Sequence, residues 1–157
     1  MIRKAEPKDK GAIQHLNQGI FDFEVVHCDP TENTNFPTSE IGQNFFDDVT
    51  YSLNGHFGYV FEDEDIVKGY VSLRVVTKYE YNHRKGISIL QLQTLGVDER
   101  FRNEGIGRAL VNHAKSVAKD LGFSHLKVVA LAKNDRARHL YKECGFNEYE
   151  IHHEMEL

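Results

Sequence analysis

The chain has no tryptophan, two methionines, three prolines and two cysteines in 157 residues. Each scarcity argues against a class of protein. Cys28 and Cys144 stand far apart without metal-ligand spacing, which speaks against a disulfide framework and for two reduced thiols. So few prolines leave no proline-rich linker, and no segment repeats or falls into low complexity. One domain over residues 1–157 is the expected organisation. No apolar run approaches the roughly 18 residues of a membrane span. The start, Met1-Ile2-Arg3-Lys4-Ala5-Glu6, lacks the apolar stretch of a secretory signal. A soluble, cytoplasmic protein with no membrane partner is expected. The formal net charge of -5 supplies no overall attraction for nucleic acid, so none is expected as a partner.

What is present is globular: 40% hydrophobic and 27% charged residues fit neither disorder nor a fibre. Ile2 to Glu6 reads as a short strand. Pro7 then opens a helical pattern through Ile13, Leu16, Ile20 and Phe21. A polar loop from Cys28 to Pro37 precedes a second helix, capped by Thr38 or Ser39 and carrying Ile41, Phe45, Phe46 and Val49. His56 to Phe61 and Ile66 to Val76 flank the acidic turn Glu62-Asp63-Glu64-Asp65 as a hairpin. Another strand follows from Ile87 to Val97. Ile106, Leu110, Ala114, Val117 and Leu121 share helical spacing, with Gly122 at a left-handed C-terminal cap. His125 to Ala132 is a buried-looking strand, Asn134 to Cys144 a short helix ending at Gly145, and Phe146 to Leu157 an extended segment expected to finish the sheet.

The most informative stretch is Arg102-Asn103-Glu104-Gly105-Ile106-Gly107-Arg108. A helix that starts here offers backbone N–H groups without intrahelical partners and the positive end of its dipole, which together favour an anion. Lacking side chains at Gly105 and Gly107, the backbone lets a diphosphate lie against the amides of residues 103 to 108. Arg102 and Arg108 add charge. The plainer alternative is a glycine-rich turn that merely begins a helix. Nucleotide motifs fit poorly: Leu110 stands where a dinucleotide fingerprint needs its third glycine, and Gly107 is followed by Arg108-Ala109 instead of Lys-Ser/Thr.

Two segments in order resemble the GNAT-type acyl-CoA-dependent N-acetyltransferases. "LQTLGV" (Leu92 to Val97) followed by "RFRNEGIG" is similar to the family's strand and pyrophosphate loop. "NDRARHLYKECGF" (Asn134 to Phe146) is similar to its Asn-x-x-Ala-x-x-x-Tyr-x-x-x-Gly-Phe helix. The resemblance implies an α/β fold of order β-α-α-β-β-β-α-β-α-β, with a central splayed mixed sheet flanked by helices. It implies acetyl-CoA as co-substrate, no metal, and an amine of a small molecule or peptide as acceptor. Leu95, Gly96 and Val97 would pair with the pantetheine arm. Arg102, Asn103, Glu104, Gly105, Ile106, Gly107 and Arg108 would hold the pyrophosphate. Asn134 would bond the pantetheine, Ala137 would lie beside it, and Tyr141 would protonate the departing thiolate.

Each of these residues also has a plainer reading. Tyr141 can be core packing, Asn134 only an N-cap, Cys144 a buried small hydrophobe, and His153 a packed residue of the last strand. His152-His153 is not a metal site. Gln93 stands where many family members carry a glutamate base, and an amide cannot accept the proton; it can orient water or substrate. The acceptor is then another group such as His83 or Glu80, or the amine arrives neutral. Asp22, Glu24, Asp29 and Glu32 either attract a cationic amine or form an acidic surface loop. Tyr79 and Tyr81 either line an acceptor pocket or cover a sheet edge. The expected activity is N-acetyl transfer by direct attack, without covalent catalysis by either cysteine. The alternative is a non-catalytic acyl-CoA-binding sensor or interaction module. A homodimer is left open.

Overall fold

The alternation Tyr70, Val71, Ser72, Leu73 sends successive side chains to opposite faces of a strand. A computed structural model, which describes residues 1–77, 80 and 83–157, places a hydrophobic core on each face: Val71 and Leu73 belong to one, Tyr70 to the other. The elements are β1 (Ile2–Lys4), α1 (Lys10–His27), α2 (Glu40–Tyr51), β2 (His56–Asp63), β3 (Ile66–Val75), β4 (Ile89–Val97), α3 (Ile106–Asp120), β5 (His125–Val128) and α4 (Asp135–Glu143). Among the described residues the sheet runs β1-β2-β3-β4-β5. Its pairings are antiparallel as far as β4, and β4 and β5 are parallel, as the intervening α3 crossover requires.

The first face is covered by α3, whose buried Ile106, Leu110, Val111, Ala114, Val117 and Ala118 form one stripe against Val71, Leu73, Leu90 and Leu92. The other face is covered by α1 and α2, through Ile13, Leu16 and Phe46 packed with Val60 and Tyr70. Fully burying a side chain such as Phe46 or Leu110 contributes about 1.5–3 kcal/mol. Ser39 caps α2, its Oγ accepting from the Gly42 amide at 3.1 Å. Gly42 is needed for packing, because a Cβ there would lie 2.0 Å from the Phe36 carbonyl oxygen.

The expected closing strand is absent. Residues 146–157 form no strand. Ile151, Met155 and Leu157 are exposed, and so is His153; the alternation that suggested a packed strand histidine has no partner edge to pair with. Strand preference is a preference for a half-buried surface, and β5 offers only His125–Val128. The order therefore stops at β-α-α-β-β-β-α-β-α.

An ion cluster ties the N-terminus to the sheet. The Arg3 guanidinium donates to Asp9 at 2.7 and 2.9 Å and to Glu62 at 2.7 and 2.9 Å, while Asp9 also accepts the Glu6 amide at 2.8 Å. Burial works to raise the Asp9 pKa, but Arg3 and the Glu6 amide outweigh it and hold it below the ordinary 3.8. A depressed acid stabilises the fold above its unfolded pKa and stops doing so as pH falls through the folded value. Asp9→Asn should therefore cost about 1–3 kcal/mol at neutral pH. In urea titrations at a series of pH values, the gap from wild type should close once pH drops below 3.8.

Candidate active site

The site begins where two strands part company. β4 stays paired with β3 as far as Val97↔Gly69, but with β5 only as far as Leu92↔Val128. Residues 93–97 therefore have a strand on one side and an opening on the other. The cause is local: Leu92 opposes Leu73 and Thr94 opposes Ser72, which leaves Gln93 as the extra residue of a β-bulge. A bulge bends its strand and sharpens the twist. The unpaired edge of a strand can accept an extended ligand as if it were another strand.

A cleft of ≈ 830 Å³ extends from this opening. It is lined by Leu95, Gly96 and Val97 from β4, by Arg102, Asn103, Gly105, Ile106, Gly107 and Arg108 around the start of α3, and by Asn134, Ala137 and Tyr141 from α4. Most of the residues singled out in the sequence thus meet in one place. Glu104 is exposed and its charge acts on Lys68. Gln93 sits behind the cleft with its Oε1 buried.

The two glycines serve different purposes. Gly105 is the N-cap of α3 with φ 81° and no capping side chain, a backbone that glycine adopts without a Cβ clash. Asn103 shares this left-handed conformation at φ 66°. Gly107 is a close-approach position, since a Cβ there would lie 3.3 Å from Leu140 Cδ2 and 3.9 Å from Val97 Cγ2. An uncapped helix start beside these residues presents N–H groups to an anion. Arg102 donates to the Val97 carbonyl at 3.3 Å, and Arg108 pairs with Glu143 at 2.6 Å. Arg136, which the sequence reading missed, stacks its guanidinium 4.6 Å from the Phe23 ring centre. Burial and then repulsion from Arg102 draw its pKa down. Two cations held close in one cleft are relieved by an anion between them.

Asn134 is an N-cap and more. Its Oδ1 accepts the Ala137 amide at 3.1 Å, while its Nδ2 donates to Glu24 Oε1 at 3.2 Å. Glu24 is the second residue the sequence left undistinguished among its acidic neighbours. Half-buried, it has its pKa raised by burial, with Asn134 opposing. Asp29 accepts the Thr31 amide at 2.9 Å and hydroxyl at 2.6 Å, a local turn. Asp22 takes Gln18 Nε2 at 2.8 Å. Tyr141 packs its ring 5.7 Å from Phe146. Burial, then the charges of Glu24 and Cys144, push its pKa well up, so the phenol stays protonated. Cys28 and Cys144 are both buried and free, and burial raises both thiols, which disfavours a thiolate nucleophile.

Of the two proton acceptors considered in the sequence, Glu80 is tied up. Glu80 is clamped by Arg74 at 2.7 and 3.1 Å and also takes the Thr77 amide. Arg74 and Thr77 hold its pKa near about 2, too low for a useful base at neutral pH. His83 is exposed. Tyr79 and Tyr81 lie outside the described residues. Among the described residues there is no group of three or more His, Cys, Asp or Glu that could hold a metal, and no helix is long and apolar enough to cross a membrane.

Comparison with known proteins follows the same lines. A mutant of the BH1408 protein from Bacillus halodurans shares the fold with a TM-score of 0.89 at 22% identity, covering 100% of this chain and 99% of that one. An aminoglycoside N-acetyltransferase, AAC(6')-Iy, solved in complex with CoA, matches with a TM-score of 0.76 at 12% identity over 100% of this chain and 93% of its own. Mycothiol acetyltransferase of Beutenbergia cavernae is 34% identical over 62 residues, 40% of this chain and 21% of the relative. Thialysine N-epsilon-acetyltransferase of Bos taurus is 36% identical over 67 residues, 43% of this chain and 39% of the relative. These alignments span well under half of each curated relative. The model of the acetyltransferase (GNAT) family matches residues 22–146, which include the bulged strand, the cradle at the start of α3 and the Asn134 to Tyr141 helix: the chain belongs to the GNAT family of acetyltransferases.

Proposed function

We propose that this protein transfers the acetyl group of acetyl-CoA to an amine by direct attack of the amine on the thioester. One observation carries the reading: the unpaired edge of β4 beyond Leu92 runs in one cleft into the uncapped start of α3 and the converging Arg102 and Arg136. A long, flexible arm ending in phosphates needs that sequence of surfaces. In this reading Leu95, Gly96 and Val97 offer backbone groups to the pantetheine arm, with one amide facing the developing oxyanion. The amides of residues 103 to 108, with Arg102 and Arg108, take the pyrophosphate.

Tyr141 supplies the proton to the departing thiolate. The phenol is protonated at neutral pH, so Tyr141 has a proton to give when the thiolate departs. Ala137 leaves room beside the arm, and Asn134 reaches it only by sharing the amide now bonded to Glu24. Glu24 thus stands on α1 behind Asn134, with Asp22 lining the cleft on the same helix, and carboxylates there suit a cationic amine better than a neutral one. The aminoglycoside and thialysine enzymes among the relatives act on amines of that kind. The buried, protonated cysteines support direct attack over an acyl-cysteine route.

Two measurements test the proposal. Release of free CoA thiol from acetyl-CoA in the presence of polyamines, aminoglycosides, amino acids and peptides should depend on the amine. Tyr141→Phe should lower kcat by about 100-fold while leaving the KM for acetyl-CoA nearly unchanged. Acetyl-CoA should raise the melting temperature of the wild type. Arg102→Ala should weaken that binding by about 10-fold, and added salt should narrow the difference. Binding without release for any amine would favour an acyl-CoA sensor instead.

A further inference from the structure

Behind Gln93, on the face covered by α1 and α2, lies a row of polar side chains that the proposed transfer leaves unused. Asn17, fully buried on α1, donates to the Tyr70 hydroxyl at 2.7 Å. The Ser72 and Thr94 hydroxyls share a hydrogen bond at 2.6 Å. Arg74 reaches Gln91 at 3.3 Å and Glu80 at 2.7 Å. His56 stands opposite Arg74 across the β2–β3 ladder. The row is not closed on itself. Asn17 Oδ1, His56 Nδ1, Arg74 Nε and Gln93 Oε1 are buried and have no hydrogen-bond partner among the described residues. The one other such atom there is His113 Nε2, on α3. Buried polar atoms are ordinarily satisfied, by protein or by ordered water. Three of these four atoms belong to the sheet and one to α1, which covers the same face.

The bulge sets Gln93 at the point where β4 turns from its β5 neighbour, two residues before Leu95, the first β4 residue that lines the cleft. Between Gln93 and His56 the rows of β3 and β2 present Ser72 and Gly58, two of the smallest residues. In the row of His56 itself, β3 presents Arg74, which turns toward Gln91 and Glu80. The Gln93 side chain lies close enough to the His56 imidazole to act on it as a hydrogen-bond acceptor, favouring the protonated form, although the two fall short of a well-aligned hydrogen bond. The edge of the Phe45 ring covers the imidazole from α2, with centroids 6.0 Å apart.

We infer that His56 is the proton acceptor for the attacking amine, reached through water held by Gln93. This rests on the acetyl-transfer reading given above. The amine gives one proton to a water hydrogen-bonded to Gln93 Oε1. That water passes one proton on to His56 Nδ1, the nitrogen that the path leaves without a partner. The imidazole becomes imidazolium and later releases the proton to solvent from its half-buried ring. Gln93 changes no protonation state; it holds the water, which an amide does as well as a carboxylate. The charged groups facing the ring are Asp48 from α2, which favours the imidazolium, and Arg74 from β3, which opposes it. Burial exceeds both and lowers the His56 pKa below the ordinary 6.5. At neutral pH the ring is therefore free to take a proton. Glu80 does not compete, being held by Arg74.

The test has two arms. In the first, the His56 ring is followed by NMR from pH 4 to 9 in wild type and in Gln93→Leu. A titration below 6.5 that shifts when Gln93 is replaced is expected; a His56 titration indifferent to Gln93→Leu overturns the path. This arm needs no acceptor amine. In the second, kcat is measured against pH for wild type, His56→Asn and the double variant His56→Asn/Gln93→Glu, with acetyl-CoA-dependent thermal stabilisation as the check on folding. The wild type should lose activity below the His56 pKa. His56→Asn should lower kcat about 100-fold at pH 7 and abolish that limb, without changing the KM for acetyl-CoA. The double variant should regain activity, with its acid limb moved into the carboxylate range. A His56→Asn enzyme with the wild-type rate and pH profile overturns the inference. Wild-type protein that acetylates no amine counts against the acetyl-transfer reading, and the titration arm still decides the path.

Discussion

A single misfit of register organises this protein. One residue too many on β4, Gln93, breaks the ladder with β3 between Leu92 and Thr94, and from there on β4 no longer has β5 beside it. Backbone groups in a folded chain ordinarily find partners, so a strand left half-paired must be held by something else. Here β3 holds it on one side: the register continues to Val97↔Gly69, and Gly69 lets Ile106 and Leu110 of α3 lie close beneath. β3 and α3 thus hold one side of the opening in place.

The charge pattern follows from the same opening. Although the chain is acidic overall at -5, the end of the cleft at the start of α3 gathers Arg102, Arg108 and Arg136, and the uncapped helix adds its partial positive charge. The other side is held by α1, where Glu24 links to Asn134. Net charge decides little about such a site; the separation of charge along the cleft decides which end of a ligand goes where.

Local rules carried much of this. The stripe from Ile106 to Ala118, the Ser39 cap and the Arg102-x-x-Gly105-x-Gly107 start of α3 were all legible, because each depends on residues a few positions apart. The parts that were not legible depend on distance in sequence. Glu24 meets Asn134 across |i−j| = 110, and nothing in the run Asp22, Glu24, Asp29, Glu32 marks one carboxylate as the one turned inward. Arg136 reads as a helix-surface cation until Phe23 is found beneath it. The closing strand failed for the complementary reason: Ile151, Met155 and Leu157 alternate as a strand would, but alternation names a face and not a partner, and β5 has only four residues to offer.

Gln93 shows how a departure from a family's pattern can be read physically instead of as a loss. A carboxylate at a bulge takes a proton itself and must then be neutralised or recharged in each turnover. An amide there cannot, so the proton has to leave the site, and the surroundings must provide both a route and an end to it. In the inference drawn above the route is the water held by Gln93, beside the polar side chains of Asn17, Tyr70, Ser72 and Thr94 where α1 and α2 cover the sheet. Its end is a histidine whose inward nitrogen has no partner among the described residues. Burial keeps that ring neutral, whereas Glu80 is tied to Arg74 and its pKa is held at about 2. If Gln93 holds the water proposed above, the neutral His56 ring takes the place as proton acceptor that a glutamate at position 93 would fill.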